Sequence, residues 1–509
     1  MDTATGKLLL ALTAALGVLA LSILAPLVFD AQRSSRTASA GEHTVVSDHV
    51  VTRPSQITPG LSATDLYTTV NPGEHFDYGR SHVFEYATFG GSLESDVTNQ
   101  AYVRVAPGSY PGAYNVVTRS RNEAFIYYGV YGDVEGSTGP AVARIDVDTL
   151  EEVWNTQLAV YENETAWNYP GVVGMHGNGT LIVVSGNTAA VLDPETGAIL
   201  HQVDLPQEDP ARGSYNGFAT TSDGTLFTKA LFRSCDDPGG LALARCLDTD
   251  ATQTLLALDP VTLEIITQVE LPEFATGRIP IAIHDGIDYV YMPGVDSVYR
   301  YRWENQTLTL DEAWGFVRVA REEDMGAMAP IVVGDWVFVQ VNTGRNGPMP
   351  VYAISAMDSS IRHSIEPFAD LRTTISFNAA HGAFDPASGL LYVADTGVGY
   401  ASALSFDSEA GFDVVWREEQ TTSVFQQLID SPDRRVIVTA ELQNWRGINP
   451  MAARNEQVVF RNAATGRELA RTGLLPRMSD GANISPGFDG RVYFPGKDGR
   501  VYEVSARGE

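Results

Sequence analysis

Lysine is nearly absent from this 509-residue chain, since Lys7, Lys229 and Lys497 are its lysines and every other basic residue is arginine. A mechanism that needs a lysine nucleophile or a Schiff base therefore has almost no candidate residue. Basic residues are few altogether, with 34 Lys and Arg against 63 Asp and Glu, and the net charge is −29. A chain this acidic repels phosphate backbones, so we expect no nucleic-acid partner.

Cysteine is equally scarce, with Cys235 and Cys246 as the two cysteines and no CxxCH motif. Covalent c-type haem and a four-cysteine cluster are therefore excluded. The two cysteines are close together in a segment rich in Asp and Gly, and we predict a disulfide that closes a short surface loop. GxSxG, HExxH, P-loop and EF-hand motifs are also missing, so no metal site is predicted.

One long apolar run is present near the N-terminus. Residues 8–29 carry no charge over 22 positions, and such a helix would reach about 33 Å, enough to span a bilayer. We expect a short tail at 1–7, a transmembrane anchor at 8–29 and a flexible tether at 30–80, with the rest outside the cytoplasm. The alternative is a cleaved signal sequence and a secreted protein, because Ala38–Ala40 resembles a cleavage site.

From about residue 100 onward the chain is a series of short β-type segments without a convincing long amphipathic helix. One recurring unit is an apolar strand, a D/N-x-x-T-G turn and a second strand, as from Asp193 to Gly197 and from Asn462 to Gly466. Asp or Asn bonds backbone amides two residues on, and Gly accepts a positive φ. A turn followed by a β-branched or aromatic strand precedes this unit. The combined order is that of a four-stranded propeller blade.

The repeats have blade-like spacing. They align on Asp146, Asp193, Asp259, Arg302, Ser355, Ser405, Asn462 and Val504, at spacings of 47, 66, 43, 53, 50, 57 and 42 residues. We predict an all-β fold: a single β-propeller over residues 81–509, with about eight four-stranded blades and seven as the alternative. Because the last repeat stops after three strands, we expect the N-terminal segment 82–89 to supply the fourth and close the ring.

The hairpin unit, with DPxTG and a tryptophan at the end of the next strand, resembles the blade of quinoprotein-like propellers with PQQ-type repeats. Trp154, Trp314 and Trp416 stand where that family often has tryptophan. The resemblance spans about residues 100–506 and implies the fold, since many members bind no cofactor and act as scaffolds. PQQ enzymes of this family use adjacent cysteines, a tryptophan floor and calcium. Here the cysteines are not adjacent, so no cofactor is predicted, and PQQ or Ca²⁺ is the alternative.

The first residues of the innermost strands line the funnel where propellers usually bind ligands. By the repeat register these residues are Asn115, Asn168, Asn216, Arg278, Met325, Asn378, Gln426 and Asn483. Amide side chains there either form hydrogen bonds with water in the channel or bind a polar ligand such as a sugar or a peptide. Among the histidines, we interpret His176 and His284 as surface turn residues. His381 is the candidate channel residue and acid–base group.

These features predict a membrane-anchored extracytoplasmic propeller that acts as a ligand- or protein-binding scaffold. The alternative is an extracytoplasmic enzyme that uses the funnel, either a quinoprotein-type oxidoreductase or a hydrolase or lyase with His381 as acid–base. The acidity either serves solubility or provides a field that attracts a cationic partner or surface Ca²⁺.

Overall fold

The computed structural model describes residues 57–62, 65–93, 98–130, 135–161, 169–207, 209, 211–235, 247–322, 324, 326–344, 347–371, 376–378, 382–422, 424–443, 453–479 and 481–506. The apolar run 8–29 lies outside these residues. Within them, no helix has the length and apolar character needed to cross a membrane. The anchor and the cleaved signal therefore both stay predictions.

The described strands group into eight β-sheets, each built outward from an innermost strand. Sheet 1 contains Asn115–Ser120, Glu123–Tyr128, Ala141–Asp146 and Glu152–Gln157. Sheet 2 contains Val172–Met175, Leu181–Ser185, Thr188–Leu192 and Ile199–Asp204. Sheet 3 contains Gly213–Tyr215, Ala219–Thr220, Leu226–Phe232, Thr254–Leu258 and Ile265–Glu270. Sheet 4 contains Ile281–His284, Ile287–Pro293, Ser297–Glu304, Thr307–Leu310 and Val317–Arg318.

The second half of the chain continues the pattern. Sheet 5 contains Ile331–Val333, Trp336–Gln340, Val351–Ser355 and Arg362–Ile365. Sheet 6 contains Ala383–Asp385, Leu390–Asp395, Tyr400–Asp407 and Gly411–Glu419. Sheet 7 contains Val83–Phe84, Gln427–Ile429, Val436–Gln443, Asn455–Asn462, Glu468–Arg471, Leu475–Pro476 and Asn99–Gln100. Sheet 8 contains Ser485–Pro486, Arg491–Pro495, Val501–Ser505 and Tyr102–Val105. Two 3-10 turns are Pro432–Arg434 and Phe488–Gly490.

The sheets follow one another in a closed ring, in which each sheet contacts the next and sheet 8 contacts sheet 1. Middle strands such as Leu181–Ser185 are buried along their whole length, while outermost strands such as Ile199–Asp204 are mostly exposed. This gradient explains the continuous apolar runs of the middle strands, because neighbouring sheets cover both of their faces. The predicted all-β propeller is confirmed.

The predicted hairpins form through the side chain of their first residue. In sheet 2, Asp193 Oδ1 accepts the backbone N–H groups of Glu195 at 2.7 Å and Thr196 at 3.2 Å. Gly197 follows with a φ of +72°, in the left-handed region that favours glycine. These bonds hold a tight turn between two strands, as the D/N-x-x-T-G pattern predicts.

Three tryptophans of the repeat, Trp154, Trp314 and Trp416, each join one sheet to the next. The indole N–H of Trp154 donates to the carbonyl of Pro194 at 3.2 Å, and that of Trp416 donates to the carbonyl of Ala463 at 2.8 Å. Both carbonyls belong to the hairpin of the following sheet. A Cβ added to Gly197 would lie 2.6 Å from the Trp154 ring. The hairpin glycine therefore serves both the turn and the close approach of the tryptophan.

Sheet 8 takes its fourth strand from Tyr102–Val105, which pairs antiparallel with Val501–Ser505. The expectation that segment 82–89 fills this place is wrong. Val83–Phe84 pairs in parallel with Leu428–Ile429 of sheet 7 instead. Val83 and Phe84 are both buried. An outermost strand has one side facing solvent, as Tyr102–Val105 does with its partly exposed residues, so the buried pair does not fit that place.

Residues 65–80, predicted to belong to a flexible tether, lie inside the ring. With residues 81–89 they form what we call the axial segment, residues 65–89, which covers the inner edges of the sheets. Six innermost strands each donate one backbone N–H to its carbonyls: Thr118 to Asn71 at 2.8 Å, Met175 to Pro72 at 2.7 Å, Ile281 to Tyr78 at 2.8 Å, Val332 to Gly79 at 2.7 Å, Phe384 to Ser81 at 3.1 Å and Leu428 to His82 at 2.8 Å. At about 1 kcal/mol for each bond, the axial segment makes a large contribution to the stability of the ring.

Candidate functional site at the propeller axis

Glu74 is the centre of a buried polar cluster in the axial segment. Its carboxylate accepts hydrogen bonds from the hydroxyl of Tyr114 at 2.7 Å and the side-chain amide of Asn483 at 3.1 Å. Nε of Arg278 lies 2.9 Å from the same carboxylate, and Nε2 of His75 lies 2.8 Å from it. Tyr114, Asn483 and Arg278 stand just before the innermost strands of sheets 1, 8 and 4. One carboxylate from the axial segment therefore ties three sheets together.

Burial sets the protonation states in this cluster. It lowers the pKa of His82 to about 3, with a further contribution from the positive charge of Arg80. Burial, followed by the same arginine, also holds the pKa of His75 well below its ordinary value. Both rings are therefore neutral at pH 7, and His82 Nδ1 lies 2.9 Å from Oε1 of Gln427. Groups this deeply buried are closed to an external substrate.

Several predicted funnel residues form hydrogen bonds with other parts of the chain. Asn115 spans to sheet 2, where its Nδ2 donates to the carbonyl of Val173 at 3.0 Å and its Oδ1 accepts the N–H of Val173 at 3.3 Å. The backbone carbonyl of Asn216 accepts a hydrogen bond from the guanidinium of Arg278. Arg278 thus reaches from sheet 4 both to sheet 3 and to Glu74. Two of the predicted residues, Arg278 and Asn483, meet on this carboxylate.

Two of the predicted funnel residues, Asn483 and Gln426, have a side-chain acceptor without a described hydrogen-bond partner. Oδ1 of Asn483 and Oε1 of Gln426 are buried and have no hydrogen-bond partner among the described residues. Asn378 Oδ1 accepts the hydroxyl of Thr396 at 3.2 Å. Asn168, Met325 and His381 lie outside the described residues. A ligand-binding role for the ring, and an acid–base role for His381, stay predictions.

The interpretation of His176 and His284 as surface residues is wrong. Their relative exposures are 5% and 7%. Nε2 of His176 lies 3.1 Å from the carbonyl of Gly224 in the next sheet, and Nε2 of His284 lies 2.9 Å from the hydroxyl of Tyr291. The repeat register gives a residue's place along its own strand, whereas burial of a turn side chain depends on the side chains packed around it, from the next sheet for His176 and from the same sheet for His284.

The metal and disulfide predictions both stay predictions. In the part of the chain that the structure describes, no group of three or more His, Cys, Asp or Glu is placed to hold a metal ion. Cys235 is described, but Cys246 lies outside the described residues. The disulfide therefore stays a prediction.

Lys229 is fully buried in the strand Leu226–Phe232 of sheet 3. Its Nζ has no hydrogen-bond partner among the residues described. Burial, and secondarily the positive charge of Arg278, lower the pKa of Lys229 to about 7. One of the three lysines of the chain is thus held in an environment that disfavours its charge.

The interpretation of the stretch up to residue 80 as a tether overlooks the charged residues of the axial segment. A compositional signal exists: Glu74, His75, Asp77, Arg80 and His82 follow one another closely and alternate with aromatic residues. The preceding stretch is rich in Ser, Thr and Pro. Dense charge next to aromatic side chains is typical of a packed polar segment and is not expected of a solvated linker.

At the opposite ends of the innermost strands, the axial segment borders an open cavity of about 380 Å³. Its apolar wall includes Phe76, Val83, Ile281, Ile283, Val332, Val333 and Pro386, and its carboxylates are Asp65, Asp77, Glu85 and Asp288. We call this cavity, with these residues, the acidic groove.

Neither a protein-family model nor a curated protein matches the chain. Solved structures do. The quinohemoprotein alcohol dehydrogenase from Comamonas testosteroni is 12% identical, with a TM-score of 0.55 over 88% of this chain and 81% of that one. BamB from Moraxella catarrhalis is 13% identical, with a TM-score of 0.47 over 80% of this chain and 100% of that one. The chain therefore has the fold of a distant quinoprotein-like β-propeller, and at such identity the likeness concerns the fold alone.

Proposed function

We propose that this protein is an extracytoplasmic, membrane-tethered β-propeller that binds a protein partner and acts as a scaffold. The observation that carries the proposal is the filled axis. Glu74 and its partners take up the place where propellers usually bind small ligands. The cavity left beside Glu74, His75 and Arg80 has about 30 Å³, whereas small-molecule sites need about 300–1,000 Å³. Binding then falls to the outer surfaces of the ring.

The proposal includes no PQQ. The quinoprotein resemblance implies this cofactor on the axis above adjacent cysteines, but Cys235 and Cys246 are eleven positions apart. The axis itself is occupied by the carboxylate of Glu74 and its hydrogen-bond donors. The residues present therefore do not fit the cofactor, and we derive no redox step from it.

The location rests on the N-terminal run 8–29, which is long enough to span a bilayer as a helix. The predicted disulfide between Cys235 and Cys246 agrees with an oxidising compartment. A scaffold held near the membrane by such an anchor would present its propeller to partners outside the cytoplasm.

Purification of the tagged full-length chain from native membranes tests this function. We expect the chain in the carbonate-washed membrane fraction, together with at least one protein whose ratio to it stays constant through two purification steps. A variant without residues 8–29 is the control for anchoring and should move to the soluble fraction. A stoichiometric small ligand without any protein partner, identified by mass spectrometry, would contradict the scaffold function.

A further inference from the structure

We propose that residues 65–82 of the axial segment form an acid-sensitive plug. Protonation of His75 and His82 releases this plug from the centre of the ring, while the ring itself stays folded. The inference does not depend on the proposed scaffold function. Three features carry it: the hydrogen bonding of two buried imidazoles, the charges packed around them, and a ring that closes without the plug.

His75 accepts a hydrogen bond that only its neutral ring can accept. Nη2 of Arg80 lies 2.6 Å from Nε2 of His75. Because a guanidinium has donors and no acceptor, this nitrogen carries no proton. The carboxylate of Glu74, 2.8 Å from the same nitrogen, is already paired with Arg278 at 2.9 Å. A proton on Nε2 would therefore break the bond to Arg80 and bring two cations together.

His82 lies beside His75 in the same buried place. Their ring centroids are 4.3 Å apart, and the ring of Phe425, just before the innermost strand of sheet 7, lies 4.7 Å from His75 and 5.4 Å from His82. Nδ1 of His82 lies 2.9 Å from Oε1 of Gln427 in that strand. An aromatic ring and a neutral amide carry no counter-charge, so protonation of the imidazoles is costly while the plug is in place.

The charges around the two histidines favour release in acid. Burial, followed by the charge of Arg80, lowers the pKa of both rings; Arg278 adds to this effect on His75, and Glu74 opposes it on His82. Release into water returns each pKa to about 6.5. The released plug therefore binds up to two more protons as the pH falls below this value. Asp77, which faces Arg80 and whose pKa burial raises, titrates in the opposite sense and offsets part of the effect.

The ring closes without the plug. Tyr102–Val105 completes sheet 8 by pairing with Val501–Ser505, and residues 65–82 contribute no strand to the eight described sheets. The plug ends before Val83–Phe84, which pairs with sheet 7. Three of its residues have a φ in the left-handed region, which is costly for residues other than glycine: Phe76 at +72°, Arg80 at +65° and His82 at +62°. Release relieves this cost and separates no pair of strands.

Release would lengthen the connection between the ring and the predicted anchor at residues 8–29. The plug would add up to about 60 Å of extended chain. Acid would thus let the propeller move further from the membrane. This consequence alone rests on the proposed anchoring.

Hydrogen exchange of the full chain in a zwitterionic detergent, followed by mass spectrometry, measures the release. The release constant comes from peptides within residues 65–82 at pH 5, 6 and 7, after correction for the intrinsic exchange rate. The test variant is His75→Gln/His82→Gln. The control variant is His201→Gln/His363→Gln, which removes two histidines from the outermost strands of sheets 2 and 5. Asp77 is present in every protein, so its titration cancels in the comparison.

From pH 6 to pH 5, we expect the release constant of the parent and of the control to rise about 60-fold more than that of the test variant, or about 8-fold for each histidine. The single variants His75→Gln and His82→Gln should each lose about 8-fold, which keeps the test valid if the double variant does not fold. An equal rise in the parent and in these variants would overturn the histidines as the trigger.

The middle strand Leu181–Ser185 of sheet 2 distinguishes release of the plug from unfolding of the ring. We expect this buried strand to stay protected from exchange at pH 5. Its loss of protection together with residues 65–82 would overturn local release. Either contrary outcome leaves the scaffold function standing, because that function is tested by the co-purifying partner.

Discussion

Replacing Lys229 with methionine tests whether the buried amine destabilises the folded protein. The side chain is fully buried and its Nζ has no hydrogen-bond partner among the described residues. Its pKa is lowered from 10.5 to about 7, and linkage converts this shift into a cost of about 4 kcal/mol at pH 7. Methionine has a similar length and no charge, so Lys229→Met should raise the free energy of unfolding by about this amount.

The prediction also specifies how the stability difference between the variant and the parent changes with pH. Between the folded pKa of about 7 and the unfolded value of 10.5, the unfolded chain binds more protons at Lys229 than the folded chain does. The lysine therefore becomes less costly as the pH rises, and its full cost is present below about pH 7. The advantage of the methionine variant should fall from about 4 kcal/mol at pH 7 to about 2 kcal/mol at pH 9.

Urea unfolding of the parent and the variant at pH 7, 8 and 9 measures this difference. All other groups titrate in both proteins, so the difference isolates Lys229. The control is Lys497→Met, at an exposed lysine, which should change stability by less than about 0.5 kcal/mol. A variant that unfolds at lower urea than the parent at pH 7, or that keeps the same advantage at pH 9, would refute the reasoning.

Three further substitutions test the axis and the repeat by chemical denaturation. Glu74→Gln should destabilise the protein by about 3–5 kcal/mol, because it leaves buried arginines without their counter-charge. The control Glu85→Gln, at an exposed carboxylate, should change the free energy of unfolding by less than about 0.5 kcal/mol. Equal effects of the two variants would exclude a structural role for the buried cluster. Trp416→Phe keeps an aromatic ring but removes the hydrogen bond to the Ala463 carbonyl, so the free energy of unfolding should fall by about 1 kcal/mol. An unchanged free energy of unfolding would mean that this bond contributes nothing to stability. Gln306→Gly should stabilise by about 0.5 kcal/mol, because Gln306 has a φ of +58° in a hairpin turn that glycine adopts freely; a loss of stability would show that its side chain matters.

The hairpins and the propeller fold are predictable from sequence because their causes are local. Asp193 bonds amides two and three residues later, and Gly197 needs its positive φ for the same turn. The hairpins at Asp193 and Asn462 therefore have Asp or Asn, Thr and Gly at the same places. The tryptophan of one sheet meets the hairpin of the next, so even this contact between sheets repeats along the chain.

The axial segment is not predictable in the same way. Its main bonds use backbone carbonyls, and every residue has one, so no residue type is required at most positions. Gly79 is an exception, because a Cβ there would lie 2.3 Å from the carbonyl oxygen of Val332. Closure of sheet 8 has a similar difficulty. Segments 82–89 and Tyr102–Val105 are both β-type, and the choice between them depends on which side chains the finished ring can expose.

The predicted funnel residues show why the fold alone does not determine the function. Repeat register places Arg278 and Asn483 correctly near the axis, and their chemistry suits an anionic or polar ligand. The group that they bind is Glu74, which belongs to the same chain and lies more than 200 residues before Arg278 in sequence. Because the chain fills its own funnel, a propeller of quinoprotein-like fold loses the site that its resemblance implies. If the protein binds another molecule as we propose, we expect it to use surfaces outside the axis.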